Sequence, residues 1–587
     1  MLFPGAAAYP VIGVSRPSGE TVPKSYRIAP AMGIEQFAEQ ESARLGGRLT
    51  GLYARTFLAY LLAMIGLWAV GVEAIFYHPT PFYAQYDPVF PGFPSVVIVI
   101  LLLWGTYLLL SALFSTYRGD GKPPRPWVFA AFGGVAAVTG VILVVQGIRA
   151  EAAFMAHASR VWEALGWHLI PIFLFAGFLG LFLTFLPRLN WFGQAPEDPR
   201  ATRRFLAGLI LFCFLFSGAI AMIRGGPDGI SQAYERRDSE FIGDIGTGGS
   251  IRGLFSEYER FHGILSMHSK VHPPGPIALL WILSYGVGQS AMGLSLATMA
   301  FGSLAIVPLY FWGRDLMGHG AALTACLLYA FVPTIVLFTA TSANILFMPF
   351  TIGTLFLFWR ALHRASGWYA VAAGAGYGIM SLLSFNLIAV GAFFGIVGLW
   401  RLAQPRMRWA VIQTAAVMLA VFLGFHTLVW LWSGFDMIET FHMAKTQFDM
   451  DQHQLEQLSP RYPQWAWVFL NPAAWFYFAG IPVSVLFVWR LFNLPSSKGD
   501  RGTSPGSDCR GLVLACFLTL IALNFLYLGR GEGERSAMHI IPFLVIPAAH
   551  ALHQMGSRAR TFAALLATLA FLAFQCWFTE SYFYTYW

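Results

Sequence analysis

The sequence predicts an all-α protein that crosses a membrane many times, and three observations predict it. Of its 587 residues, 57% are hydrophobic and only 11% charged, where a soluble chain carries about a quarter charged residues. The mean hydropathy is +0.60. Apolar runs of roughly 20 residues, long enough to cross about 30 Å of hydrocarbon, recur from position 52 to position 578.

The elements follow in order. Residues 1–50 hold Pro, Gly and scattered charges without a signal-peptide core, so the first span is expected to act as the targeting signal. Spans are expected at 52–77, 95–116, 127–147, 166–186 and 204–223. Further spans are expected at 294–313, 321–338, 343–361, 368–384, 386–402, 409–432, 470–491, 511–528, 536–553 and 561–578.

Lys and Arg in short loops set orientation, because they stay on the cytoplasmic side. Arg16, Lys24, Arg27, Arg44 and Arg48 put the N-terminus inside, and Arg118, Lys122, Arg125, Arg188, Arg200, Arg203 and Arg204 mark the next two interior loops. Downstream, Arg360 with Arg364, then Arg401, Arg406 and Arg408, then Lys498, Arg501 and Arg510, then Arg558 and Arg560 mark four more. All of them fit one threading if the chain crosses an even number of times between 204 and 313. The run 276–289 is therefore not counted as a span. It has about 14 residues, short of the usual minimum of about 17, and closes on Gly286 and Gly288. It is expected to lie at the interface or re-enter, packed on protein, and the C-terminus is expected outside.

The formal charge of +8 reflects the basic interior loops and not a nucleic-acid partner. Four of the five cysteines, Cys213, Cys326, Cys516 and Cys576, lie in apolar runs, and Cys509 lies in a basic loop. None has CxxC spacing, so neither a disulfide framework nor a metal centre is indicated.

Three exterior segments are unusually polar. The first, 224–275, concentrates acids: Asp238, Glu240 and Asp244 fall in "RRDSEFIGD", and Glu240 and Asp244 would share a helical face at i, i+4. Such carboxylates suit a general base, or they are loop acids pairing with Arg236, Arg237 or Arg252. His262, His268 and His272 invite a metal reading, but Pro273 and Pro274 end any helix there and no third ligand has standard spacing. With Lys270, the histidines are better suited to an anionic group. The second segment, "LGRGEGERSAMH" (528–539), sets Arg530 and Arg535 among glycines at a helix entry, the geometry of a phosphate site, or else pairs them with Glu532 and Glu534. The third, 433–465, is a lid, an acceptor groove or a surface helix. Its Tyr462 and Trp465, with Trp467 just beyond, could stack on sugar rings or anchor the interface.

From about 204 to 553 the chain resembles the GT-C superfamily of membrane glycosyltransferases, nearest the bacterial branch similar to protein mannosyltransferases and lipid A aminoarabinose transferase. A span leads to a large acidic exterior loop that closes with "HPPGP" before an apolar helix. Then come "YFWGRDLMGHG" and a span ending in proline, "LLYAFVPTIVLFTA". The resemblance implies a core of about eleven spans, here preceded by about four extra ones, with short helices in the large exterior loop. The domains are then 1–51, an N-terminal module 52–203, a core 204–432 with exterior loop 224–293, an exterior loop 433–469, and C-terminal helices 470–587.

The resemblance also implies a polyprenyl-phosphate sugar donor, a glycan, lipid or protein acceptor, no cofactor, inversion at the anomeric carbon, and residence in a bacterial inner membrane with the site outside. The family's catalytic acid maps onto Asp238 or Glu240, with Asp244 third, and Arg530, Arg535, Lys270 and His272 would receive the donor phosphate. Where many relatives carry an acid in the second exterior loop, this chain has "TSAN" with Asn344, which argues against a metal-dependent route. A transporter of lipid-linked sugars would need charges within spans and paired halves, which the sequence lacks. A non-catalytic assembly subunit would keep the fold yet tolerate alanine at all three acids.

Overall fold

The computed structural model describes residues 45–60, 153–189, 191, 197–458, 464–493, 509–526, 533–555 and 558–582. Most of the expected span 52–77 and all of 95–116 and 127–147 lie outside these residues, as do Arg530 and Tyr462.

Every regular element among the described residues is a helix, and seven are long and apolar enough to cross a membrane. This is an all-α polytopic membrane protein. The last helix, Arg558–Tyr582, is the centre: 94% of its apolar window is buried, against 11% for Pro405–Ser433. The latter turns Trp409, Leu423, Leu428 and Trp430 outward, an arrangement suited to lipid. Phe57, from the described 45–60 helix, packs on Phe571, Phe574 and Phe578 of the last helix.

The helix Pro199–Gly225 begins where the Asp198 side chain accepts from the Arg200 N–H at 2.8 Å, with proline at the first helical position. Its Phe212 stacks on Phe178 with centroids 4.1 Å apart and tilts on Phe331 at 5.0 Å. The expected span 294–313 forms as one candidate crossing, Ala291–Met317. The run near 276–289 is a 13-residue helix, Gly275–Val287. At 1.5 Å per residue it reaches about 20 Å, too short to cross. Gly275, within HPPGP, has a structural reason: a Cβ there would lie 2.1 Å from the Leu382 carbonyl oxygen. The glycine lets this helix start directly against the end of Gly367–Leu383.

The expected span 470–491 forms as a bent pair, Trp467–Phe478 and Ile481–Phe492, at 111° to each other. Gly480 turns the chain at φ 91°. Side chains satisfy backbone groups opened by the break: the Gln575 amide donates to Tyr477 O at 2.8 Å and its carbonyl accepts from Ile481 N at 2.9 Å, while Thr334 Oγ1 donates to Phe478 O at 3.0 Å. Buried backbone groups need such partners, so the break is stabilised.

Candidate active site

The acidic loop 224–275 folds into short turns, and Gly243 lets them close. A Cβ there would lie 1.8 Å from Arg237 O. The 3-10 turn Phe241–Asp244 thus folds back on residue 237, with Glu240 extended at its start (φ −103°, ψ 151°). The anticipated i, i+4 helical pairing of Glu240 and Asp244 is therefore not what forms. The two carboxylates face different partners.

Asp244 is buried and fully engaged. It accepts from Ser266 N at 3.1 Å on both oxygens, and its Oδ2 accepts from Ser266 Oγ at 2.6 Å and Ser269 Oγ at 2.5 Å. It acts as a clasp for 266–269. Tyr258 reinforces it, its hydroxyl 2.7 Å from Ser269 O and 2.8 Å from His272 O. Burial, with the Asp244 carboxylate adding to it, raises the Tyr258 phenol well above its ordinary value, so it stays a donor. His262 donates from Nε2 to Lys270 O at 2.8 Å. The three histidines thus serve three ends, since His268 and His272 each turn elsewhere.

The clasped segment then pairs with the acid strand. Met267 N donates to Asp238 O at 3.1 Å and His268 N to Ser239 O at 3.0 Å. That two-rung pairing carries His268 to Glu240, whose Oε1 lies 3.3 Å from His268 Nε2. Arg535 closes the group from a segment far along the chain. Its Nη1 stands 3.8 Å from the same Glu240 oxygen, and its Nη2 3.4 Å from His268 Nε2, a pair 267 positions apart in sequence. Glu240 and Arg535 are 3% and 4% exposed. Glu240 Oε1 is buried and makes no hydrogen bond among the described residues, so the carboxylate is held there by charge. His268 Nε2 accepts from Arg535 when it carries no proton; carrying one, it would face Glu240 Oε1 as a charge contact.

The remaining expected residues are spread around this triad. Asp238 is exposed and lends its backbone carbonyl to Met267. Lys270 is half-buried and its ammonium makes no ion pair among the described residues. His272 packs edge-on against Phe241, centroids 5.3 Å apart, and lines a cleft with Asn344, Ser384, Asn386 and His539. The segment 433–465 supplies a helix, Met437–Leu458, whose start is capped by Asp436 accepting from Ile438 N at 2.8 Å. Sequence reasoning did not single out His268 for the triad, nor Ser384, Asn386 and His539 for the cleft. The available signals were the HxxxH spacing and the polar "SFN" interrupting two apolar runs.

No curated protein matches the chain. Residues 271–432 match the family of dolichyl-phosphate-mannose-protein mannosyltransferases. The matched segment starts beside the triad and includes His272, Asn344, Ser384 and Asn386. On this polytopic helical frame, that match over part of the chain supports the resemblance to GT-C membrane glycosyltransferases.

Proposed function

We propose that the chain moves one sugar, with inversion, from a polyprenyl phosphate to a hydroxyl acceptor at the exterior face of a bacterial inner membrane. The N-terminus lies inside. Glu240 is the base: it takes the proton of the acceptor hydroxyl as that oxygen bonds to the anomeric carbon. The bond from that carbon to the phosphate oxygen breaks, and its electron pair leaves with the phosphate. Arg535, assisted by His268, stabilises the departing charge, as positioned cations do where charge develops. Arg530 and Lys270 remain candidates to extend that cationic wall. The observation that carries this reading is the buried contact of Glu240 with Arg535, an acid and a guanidinium from two distant loops. Asp238, exposed and outside that contact, and Asp244, saturated by serines, are less suited to receive a proton.

The test uses the purified chain with a panel of polyprenyl-phosphate sugars, scored for hydrolysis and transfer. Glu240→Gln should lower kcat at least about 100-fold, as loss of a general base does, with donor KM changed little. Turnover by the Gln variant near the wild-type rate, or loss confined to Asp238→Asn, would remove Glu240 from this role. No turnover by wild type with any donor would defeat the enzymatic assignment itself.

A further inference from the structure

Between Asp315 and Asp436 the chain has no Asp or Glu, yet it carries Arg360, Arg364, Arg401, Arg406 and Arg408. Two of these are engaged within the fold. Arg360 donates to Asp315 at 2.6 and 3.1 Å. Arg401 is buried, with the Trp400 and Trp359 rings 4.2 and 5.3 Å from its guanidinium and His363 accepting from it at 3.0 Å. Arg364, Arg406 and Arg408 are exposed and make no ion pair among the described residues. They are charge without a counter-ion.

One end of the bundle gathers the three. Gly374 lets Gly367–Leu383 lie against Arg408–Ser433: a Cβ on it would stand 2.8 Å from Met418 O, and one on Gly378 would stand 2.5 Å from the Phe425 ring. The two contacts advance together along the chain, so the helices run side by side in one direction and their starts share an end. Arg364 closes the preceding helix, four residues before Trp368, and Arg406 and Arg408 flank the start of the other, beside Trp409. Trp368 and Trp409 are 84% and 74% exposed, which excludes them from the core, and tryptophan gathers at the level of lipid headgroups. Beyond Trp409, Ile412, Leu419 and Leu423 are exposed as well, at spacings that keep one helix face. That stripe runs about 21 Å from Trp409 to Leu423, a little more than one leaflet's share of a core about 30 Å thick. The opposite end of Gly367–Leu383 is where Gly275–Val287 begins, against Leu382, so the arginines lie away from the segment that carries His268.

We propose that Arg364, Arg406 and Arg408 form a site for the phosphate headgroup of an anionic glycerophospholipid, with Trp368 and Trp409 at headgroup level and an acyl chain along Ile412, Leu419 and Leu423. Guanidinium forks match phosphate oxygens, and clustered cations beside a span attract anionic lipid. An acidic protein would be held by charge alone. The apolar stripe that continues from the arginines along the same helix selects a lipid. This inference does not depend on the donor chemistry proposed above.

The test titrates the full chain in detergent with phosphatidylglycerol or with phosphatidylcholine and reads bound lipid by native mass spectrometry. Arg364→Gln, Arg406→Gln and Arg408→Gln should each weaken phosphatidylglycerol about fivefold, the worth of one arginine near a lipid surface. All three together should weaken it at least about 50-fold, while phosphatidylcholine stays within about twofold. Arg200→Gln with Arg203→Gln, exposed basic residues of another loop, should change neither lipid by more than about twofold on the same scale. Where the triple variant unfolds early, the single variants decide. No weakening, equal weakening of both lipids, or the same loss in the Arg200 and Arg203 control would each overturn the site. Displacement of bound phosphatidylglycerol by millimolar inorganic phosphate would overturn the lipid and leave a site for free anions.

Discussion

Replacing Asp244 with asparagine should loosen the site without touching its charged triad. Both serine hydroxyls reach the same oxygen, at 2.6 and 2.5 Å, so asparagine keeps them best by placing its carbonyl oxygen there. Its amide nitrogen then faces the Ser266 N–H without an acceptor and is the stranded donor, while that N–H keeps the carbonyl oxygen at 3.1 Å. Hydrogen bonds to a charged acceptor are worth about 1 kcal/mol more than neutral ones, and a stranded buried donor costs about 1–3 kcal/mol. The neutral amide is easier to bury, which recovers part of the loss, so the clasp should weaken by about 2–4 kcal/mol. Hydrogen exchange in peptides covering 262–272 reads this directly. Where local opening limits exchange, rates should rise about 30- to 700-fold. Glu240→Gln should leave the same peptides unchanged. Unaltered exchange in Asp244→Asn would refute the clasp and reopen Asp244 as a candidate base.

Gly275→Ala should cost about 1–3 kcal/mol by overpacking, because the Leu382 carbonyl cannot step aside as a side-chain tip can; an unchanged thermal midpoint would count against that contact. Gln575→Leu should cost about 1–3 kcal/mol by stranding the Ile481 N–H, while the Tyr477 carbonyl keeps Gly480 N at 2.9 Å. Gln575→Glu, buried as the neutral acid, keeps an acceptor for Ile481 and an O–H donor for Tyr477. Thermal unfolding in detergent should rank leucine as the less stable of the two unless the acid must be buried charged, and wild-type stability in both would show that the break needs no staple.

Much of the frame could be read in the sequence because hydrocarbon thickness imposes a length and loop charge a side. The 14-residue run before Gly286 and Gly288 could be excluded as a span on length, and it forms the short Gly275–Val287 helix. The 111° bend was invisible for the opposite reason. Its segment is largely apolar, Gly480 and Pro482 are its weak local signals, and the glutamine that holds the Ile481 N–H lies 94 positions away. At the site, the "RRDSEF" and "GERS" stretches could be flagged by residue type. Local pattern could not say which acid meets Arg535. That depends on a turn admitted by Gly243 and on two backbone rungs between 238–239 and 267–268. The helical i, i+4 reading of Glu240 and Asp244 failed because the segment makes a 3-10 turn, where positions four apart diverge. Ser384 and Asn386 escaped notice because two polar residues between apolar runs read as an ordinary linker.

The Gln575 carboxamide also dictates an order of assembly. A bare amide N–H cannot rest in lipid without a cost of several kcal/mol, and the group that seals that of Ile481 is encoded 94 residues later. While the ribosome is still short of codon 575, the bent pair has no finished place in the bilayer and must wait beside water or the insertion machinery. The final helix is then the key that lets an already synthesised segment settle, and a chain released before it would present an open polar elbow to quality control.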